Sequence, residues 1–217
     1  MVTTQRTRIK ICGITTATDA AMAVEAGADA LGVVLAPSSR EVTLVEAEKA
    51  LASVPPFVAR IGVFVDADPG FVADAIARLG LSAVQFHGDE SPADCAAVPV
   101  PVIKAFKVGT DFASVVAEPF RGAVAALLLD TYSPQKSGGT GKVFDWQTHS
   151  AALPGWVPLI IAGGLTPVNV AEAIRFFHPL AVDVSSGVEE RNRHKDRMKL
   201  RAFVAAVRAA DEEDRNV

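Results

Sequence analysis

The residues that could do chemistry in this chain are a thiol, a carboxylate, an arginine and two turns rich in glycine and serine. Cys12 lies in Lys10-Ile11-Cys12-Gly13-Ile14-Thr15, where a predicted strand bends at Gly13. Alone, a cysteine there reads as a small buried hydrophobe. Asp130 closes the apolar run Val124–Leu129 and shares a strand face with Ala126 and Leu128, which would send its carboxylate out of the strand end. A turn-capping aspartate is the competing reading. Facing one another across a sugar, a thiol and a carboxylate form a base and an acid that need no metal. Gly163-Gly164, followed by Thr166-Pro167, and then Ser185-Ser186-Gly187 offer backbone N–H groups at helix starts, which suit a phosphate. Arg40 follows Pro37-Ser38-Ser39 and on its own reads as a solvated surface arginine. His87 either supports the wall of a site or touches its ligand. Asp66 reads as a turn residue and Cys95 as helix packing.

The elements that must position these residues repeat along the chain. Arg8–Ile14 alternates as a strand, with Ile9 and Ile11 on one face and Lys10 and Cys12 on the other. Further apolar strands are predicted at 30–35, 61–65, 81–86, 102–106, 124–129, 159–162 and 180–184. Helix starts are marked by Thr16 with Asp19, Thr43 with Glu46, Asp68-Pro69, Ser91-Pro92 and Thr166-Pro167, and stops by Gly27, Pro55-Pro56 and Gly80. A fifth helix is predicted from about Asp111 to Pro119, and a glycine-bearing binding loop from Thr131 to about Asp145. The last helix is expected to bury Leu200, Phe203, Val204 and Val207.

Eight strand–helix units without a linker argue for a single-domain (β/α)8 TIM barrel over residues 1–217, with 1–7 and 211–217 frayed. A doubly wound open sheet is disfavoured because Gly13 lacks the companion glycines of a dinucleotide fingerprint. In such a barrel Cys12, Arg40, Asp66, His87, Asp130 and the two glycine turns all fall at the C-terminal strand ends. Barrel enzymes do their chemistry there, and the loops after strands seven and eight commonly bind phosphate.

Composition narrows the field. With 25 acidic against 21 basic residues and no basic block, electrostatic binding of nucleic acid or a membrane surface is not favoured. No apolar run approaches the roughly 20 residues that span a bilayer. Met1–Lys10 lacks the apolar core of a signal peptide, so a cytoplasmic chain with reduced thiols is expected. Cys12 and Cys95 have no cysteine or histidine at ligand spacing, so a zinc site is not supported and no metal is expected.

Taken together, the motifs resemble the phosphoribosylanthranilate isomerase family of tryptophan biosynthesis. The likeness runs from Lys10 to about Val207 and rests on Lys10-Ile-Cys-Gly-Ile-Thr15, Gly62-Val-Phe-Val65, Val84-Gln-Phe-His-Gly-Asp-Glu90, Leu128-Leu-Asp130, Gly138-Gly-Thr-Gly141 with Phe144-Asp-Trp146, Ala162-Gly-Gly-Leu-Thr-Pro167 and Val182-Asp-Val-Ser-Ser-Gly-Val-Glu189. The resemblance implies a cofactor-free (β/α)8 enzyme that isomerises N-(5-phosphoribosyl)anthranilate by an Amadori rearrangement. It implies Cys12 as general base, Asp130 as general acid and Arg40 on the anthranilate carboxylate. Substrate contacts are further expected from His87, Gly163, Gly164, Asp183, Ser185 and Ser186. The base role predicts a site that lowers the thiol pKa from its free value of roughly 8.5. Two departures from the family pattern are the missing proline before Arg40 and Glu190-Arg-Asn-Arg-His194 where a Pro-Gly turn is usual. The alternatives are the analogous isomerase of histidine biosynthesis and a non-catalytic barrel that binds a phosphosugar. The partner is a small phosphosugar in either case, and the chain is a monomer or a homodimer.

Overall fold

The computed structural model describes residues 6–108, 114–130 and 154–215. Eight parallel strands close into a barrel in sequence order: β1 (Arg8–Cys12), β2 (Ala30–Val34), β3 (Ala59–Phe64), β4 (Ala83–Phe86), β5 (Val102–Lys107), β6 (Ala126–Asp130), β7 (Leu159–Ala162) and β8 (Ala181–Val184). Closure is made where β1 pairs with β8, in the register Arg8↔Ala181 through Ile11↔Val184. The helices α1 (Ala17–Ala26), α2 (Leu44–Leu51), α3 (Pro69–Leu79), α4 (Pro92–Ala96), α5 (Val170–Phe177) and α6 (Arg197–Arg215) pack outside.

The period-2 alternation of the strands divides the apolar residues into two sets. Ile9, Ile11, Leu31, Val33, Val84, Leu129 and Val182 point out against the helices, where Ala20, Ala23, Leu51, Ala75, Leu200, Phe203 and Val207 meet them. Ile61, Ile103, Ala105, Ala126, Leu128, Ile160 and Ala162 cluster inside the barrel. The helix starts follow their caps. The side chain of Thr16 accepts from the Asp19 amide, Thr43 with Glu46 and Ser91 with Asp94 form full capping boxes, and Asp68 accepts from the amides of Gly70 and Phe71.

Three expectations need correction. The predicted fifth helix is replaced, in its described part, by two 3-10 turns at Ser114–Val116 and Glu118–Phe120. Pro119, which cannot donate to a helical ladder, sits inside the second of them. The helix after β7 begins at Val170, because Thr166 donates its amide and hydroxyl to Asn169 Oδ1 and spends three residues on a turn. At the C-terminus, α6 runs on through most of the segment expected to fray. Asp211 is buried and accepts the Thr7 amide on both oxygens (3.0 and 3.1 Å), tying the end of the chain to its beginning. Val204 is only half-buried. The glycine-bearing segment 131–145 lies outside the described residues. Among the described residues no helix is long and apolar enough to cross a membrane.

Candidate active site

At the C-terminal mouth of the barrel is a cavity of about 540 Å³ whose wall includes Cys12, Arg40, Gln85, His87, Asp130, Gly163, Gly164, Asp183, Ser185 and Ser186. Every residue expected at the site from the sequence is therefore on one cavity wall. Cys12 ends β1 and Asp130 ends β6, three strands apart around the ring. Gly163-Gly164 and Ser185-Ser186 follow β7 and β8. Gly187 lets those two turns touch, since a Cβ there would lie 1.9 Å from the Leu165 carbonyl oxygen.

Beneath the mouth the apolar barrel interior also holds an ion pair. Lys10, two residues before Cys12 on the same face, places Nζ 3.0 Å from Asp183 Oδ2, with both side chains almost wholly buried. Burial is the strongest single influence on Lys10 and would drain its charge, but Asp183 and Cys12 together outweigh it and hold the ammonium above the usual lysine range. For Cys12 the balance runs against the sequence expectation. Burial pushes the thiol up, and the pull of Lys10 in the other direction only partly offsets it. The resting group is therefore a thiol, and ionising it depends on nearby positive charge.

His87 reaches Asp130, Nε2 to Oδ2 at 3.6 Å, and its Nδ1 lies 3.3 Å from the Gln85 amide nitrogen. With Gln85 donating, the imidazole proton sits on Nε2 and faces the carboxylate. Burial keeps His87 below the ordinary imidazole range against the attraction of Asp130, so the ring is neutral at pH 7. The loops around it are pinned by Glu90, which accepts from the amides of Asp66 and Gly88 and from Lys104 Nζ. Asp66 is a turn residue as expected, with φ 47°. Cys95 is buried helix packing, and burial pushes its thiol up to about 11.

Arg40 lines the cavity, but its fork is already engaged. Nε and Nη2 each donate to a Glu189 oxygen at 2.7 Å. Glu189 is also 2.8 Å from the ammonium of Lys195, which is fully buried and donates to the Cys12 carbonyl at 2.6 Å. Burial works against the Glu189 carboxylate, yet the hydrogen bonds from Arg40 and Lys195 hold it at about 2. This cluster ties loop two, loop eight and the end of β1 together. Gly13 makes room for it: its φ is +74°, and a Cβ would meet the Arg40 stem at 2.5 Å and Ser185 Oγ at 2.9 Å. The segment 190–194 closes through a Glu189↔Lys195 bridge. Arg193 sits there in the left-handed region at φ 69° and donates to the Ser39 carbonyl.

Lys10, Gln85, Glu189 and Lys195 were not singled out from sequence. Lys10 and Gln85 were within reach of it, because each lies two residues before a site residue on the same strand face. Nothing local marks Glu189 or Lys195. Among the described residues two buried side-chain oxygens lack a hydrogen-bond partner, Gln85 Oε1 and Asp183 Oδ1, and both residues line the cavity. No group of three or more metal-ligating side chains gathers among the described residues.

The family model of N-(5′-phosphoribosyl)anthranilate isomerase matches residues 9–206. A relative of that name from Geobacter sulfurreducens is 51% identical over 199 residues, covering 91% of this chain and 96% of the relative. The crystal structure of phosphoribosyl anthranilate isomerase from Thermotoga maritima superposes with a TM-score of 0.80 at 38% identity, covering 94% of this chain and 99% of that one. A second isomerase structure, in complex with reduced 1-(o-carboxyphenylamino)-1-deoxyribulose 5-phosphate, gives 0.77 at 35% identity over the same shares. With the barrel, the cavity and the sequence in agreement over nearly its whole length, the chain belongs to the N-(5′-phosphoribosyl)anthranilate isomerase family of tryptophan biosynthesis.

Proposed function

We propose that this barrel converts N-(5-phosphoribosyl)anthranilate to 1-(2-carboxyphenylamino)-1-deoxyribulose 5-phosphate, with Cys12 as general base and Asp130 as general acid. The observation that carries the reading is a single cavity with a thiol and a carboxylate on strands three apart around the ring and two glycine turns beside them. Asp130 protonates the furanose ring oxygen, the C1–O bond breaks, and the nitrogen lone pair forms an iminium at C1. Cys12 as thiolate removes the C2 proton, leaving an enolamine that tautomerises to the ketone by taking a proton at C1. The backbone of Gly163, Gly164, Ser185 and Ser186 receives the phosphate. The unpartnered oxygens of Asp183 and Gln85 suit hydroxyl groups of a ribose, which would satisfy them. The thiol has to stay reduced, which suits a cytoplasmic chain, and both cysteines are free. Turnover of N-(5-phosphoribosyl)anthranilate by the purified chain tests the reading, and no turnover would reject it.

Arg40 meets the anthranilate carboxylate with the N–H groups that Glu189 leaves over, on Nη1 and the second Nη2 hydrogen. Arg40→Ala is expected to cost the natural substrate roughly 1.5–3 kcal/mol in kcat/KM, the range for a hydrogen bond to a charged group. A phosphoribosyl-aniline analogue without the carboxylate should be nearly indifferent. Equal losses for both substrates would assign Arg40 to the Glu189 cluster alone.

Gly187→Ala tests the contact between the phosphate turns. The new methyl group would collide with backbone, not with a flexible side chain, so the two turns must part. A loss of about 1–3 kcal/mol in thermal or urea stability is expected, together with a raised KM. Unchanged KM would separate the turn geometry from phosphate binding.

A further inference from the structure

We infer that Lys10 is the positioning residue that sustains the Cys12 thiolate, with Asp183 as the counter-charge that aims its ammonium. The inference rests on the base role proposed for Cys12 and adds the group that makes that role possible in a buried site.

The geometry comes from three strands. Lys10 and Cys12 share the inward face of β1, and Lys10 is in register with Asp183 on β8. On the other side of β1, Cys12 is in register with Gly32 on β2. A Cβ built on Gly32 would lie 3.0 Å from Cys12 Sγ and 3.1 Å from Lys10 Nζ. Sulfur and ammonium thus flank one point, and the bare glycine leaves the space between them open. Asp183 Oδ2 fixes the ammonium from the far side at 3.0 Å.

The other cations facing Cys12 spend their hydrogen bonds elsewhere, although the charge of Lys195 also favours the thiolate, less strongly than Lys10 does. Lys195, from the segment after β8, gives its ammonium to Glu189 and to the Cys12 carbonyl. Arg40, from the loop after β2, has its fork on Glu189. Lys10 is the cation that stands beside the sulfur itself. Its two neighbours then act on the thiol with opposite sign. Lys10 favours the thiolate, whereas the Asp183 carboxylate disfavours it and is tolerated because Lys10 is paired to it. In the reaction the thiol proton leaves to solvent on ionisation, and the C2 proton later restores the thiol. Lys10 supplies charge and takes no proton.

The opposite signs make the test sharp. In the full chain with Cys95→Ala, Cys12 is the sole cysteine, so the pH dependence of its alkylation by iodoacetamide reads its ionisation. Lys10→Met should raise the pH of half-maximal alkylation by about one unit or more, and Asp183→Asn should lower it. A merely structural role moves both variants the same way, and that result, or an unmoved Lys10→Met profile, would overturn the inference. If Lys10→Met does not fold with Asp183 left unpaired, Lys10→Met/Asp183→Asn compared with Asp183→Asn reads the same effect and must again shift upward. Turnover supplies the second readout. Lys10→Met should lower kcat at pH 7.5 about tenfold or more and recover as the pH is raised, while a flat loss at all pH values would count against it. Retained turnover in Cys12→Ser would reject the base role, and the alkylation profiles would still decide the pairing on their own.

Discussion

Replacing Cys12 by serine, or Asp130 by asparagine, is expected to lower kcat by about 100-fold or more, the scale of a lost general base or acid. The serine hydroxyl is somewhat smaller than the thiol and sits at the same position, but it is far harder to ionise, so the C2 proton finds no acceptor. The asparagine keeps the hydrogen-bonding shape of Asp130 but cannot deliver a proton to the ring oxygen. KM should change much less in both, because neither group is assigned to binding shared equally by ground and transition states. The surrounding groups should hold their places. Lys195 grips the backbone carbonyl of residue 12, not its side chain, and His87 is anchored by Gln85 as well as by Asp130. Steady-state kinetics of the two single variants decide this, and near-normal kcat in either would remove its role.

The second large effect concerns stability. Glu189→Ala should cost about 3–5 kcal/mol, the penalty for leaving a buried partner charge uncompensated. Lys195 is wholly buried and Glu189 is its carboxylate, while Arg40 loses both hydrogen bonds of its fork. For a chain of this size that is a fall in Tm of roughly 6–20 °C. The pH dependence has a definite sign. Glu189 is held at about 2, below its ordinary value of 4.5, so the stability it supplies is complete above that ordinary value and is lost as pH falls toward 2. Glu189→Gln should flatten this acid limb. A melting temperature within two or three degrees of the parent in Glu189→Ala, at pH 7, would show that the cluster relaxes without cost.

Much of this was legible in the sequence, for reasons that can be stated residue by residue. The strands announce themselves because both barrel faces are covered, so runs such as Ala126–Leu129 are apolar throughout. Strand ends then place Cys12, His87 and Asp130 at the mouth, and the glycine turns stand out only because the fold puts them after strands seven and eight. What escaped was long-range polar pairing. Asp211 looked solvated because its partner, the Thr7 amide, is 204 residues away. Arg40 reads as a solvated surface arginine because its partner Glu189 is 149 residues away in the chain. The direction of the Cys12 ionisation was misjudged for a related reason. Its cation was visible two residues upstream, but the degree of burial that outweighs it, and the carboxylate from β8 that opposes it, belong to the closed barrel.

The most direct measurement is the loss of substrate fluorescence when the purified full chain meets N-(5-phosphoribosyl)anthranilate, run beside a Cys12→Ser/Asp130→Asn variant of the same fold. The Cys12–Asp130 mechanism predicts turnover by the parent chain and none above background by the double variant. A parent chain that leaves the substrate untouched, or a double variant that consumes it at the parent rate, would contradict it.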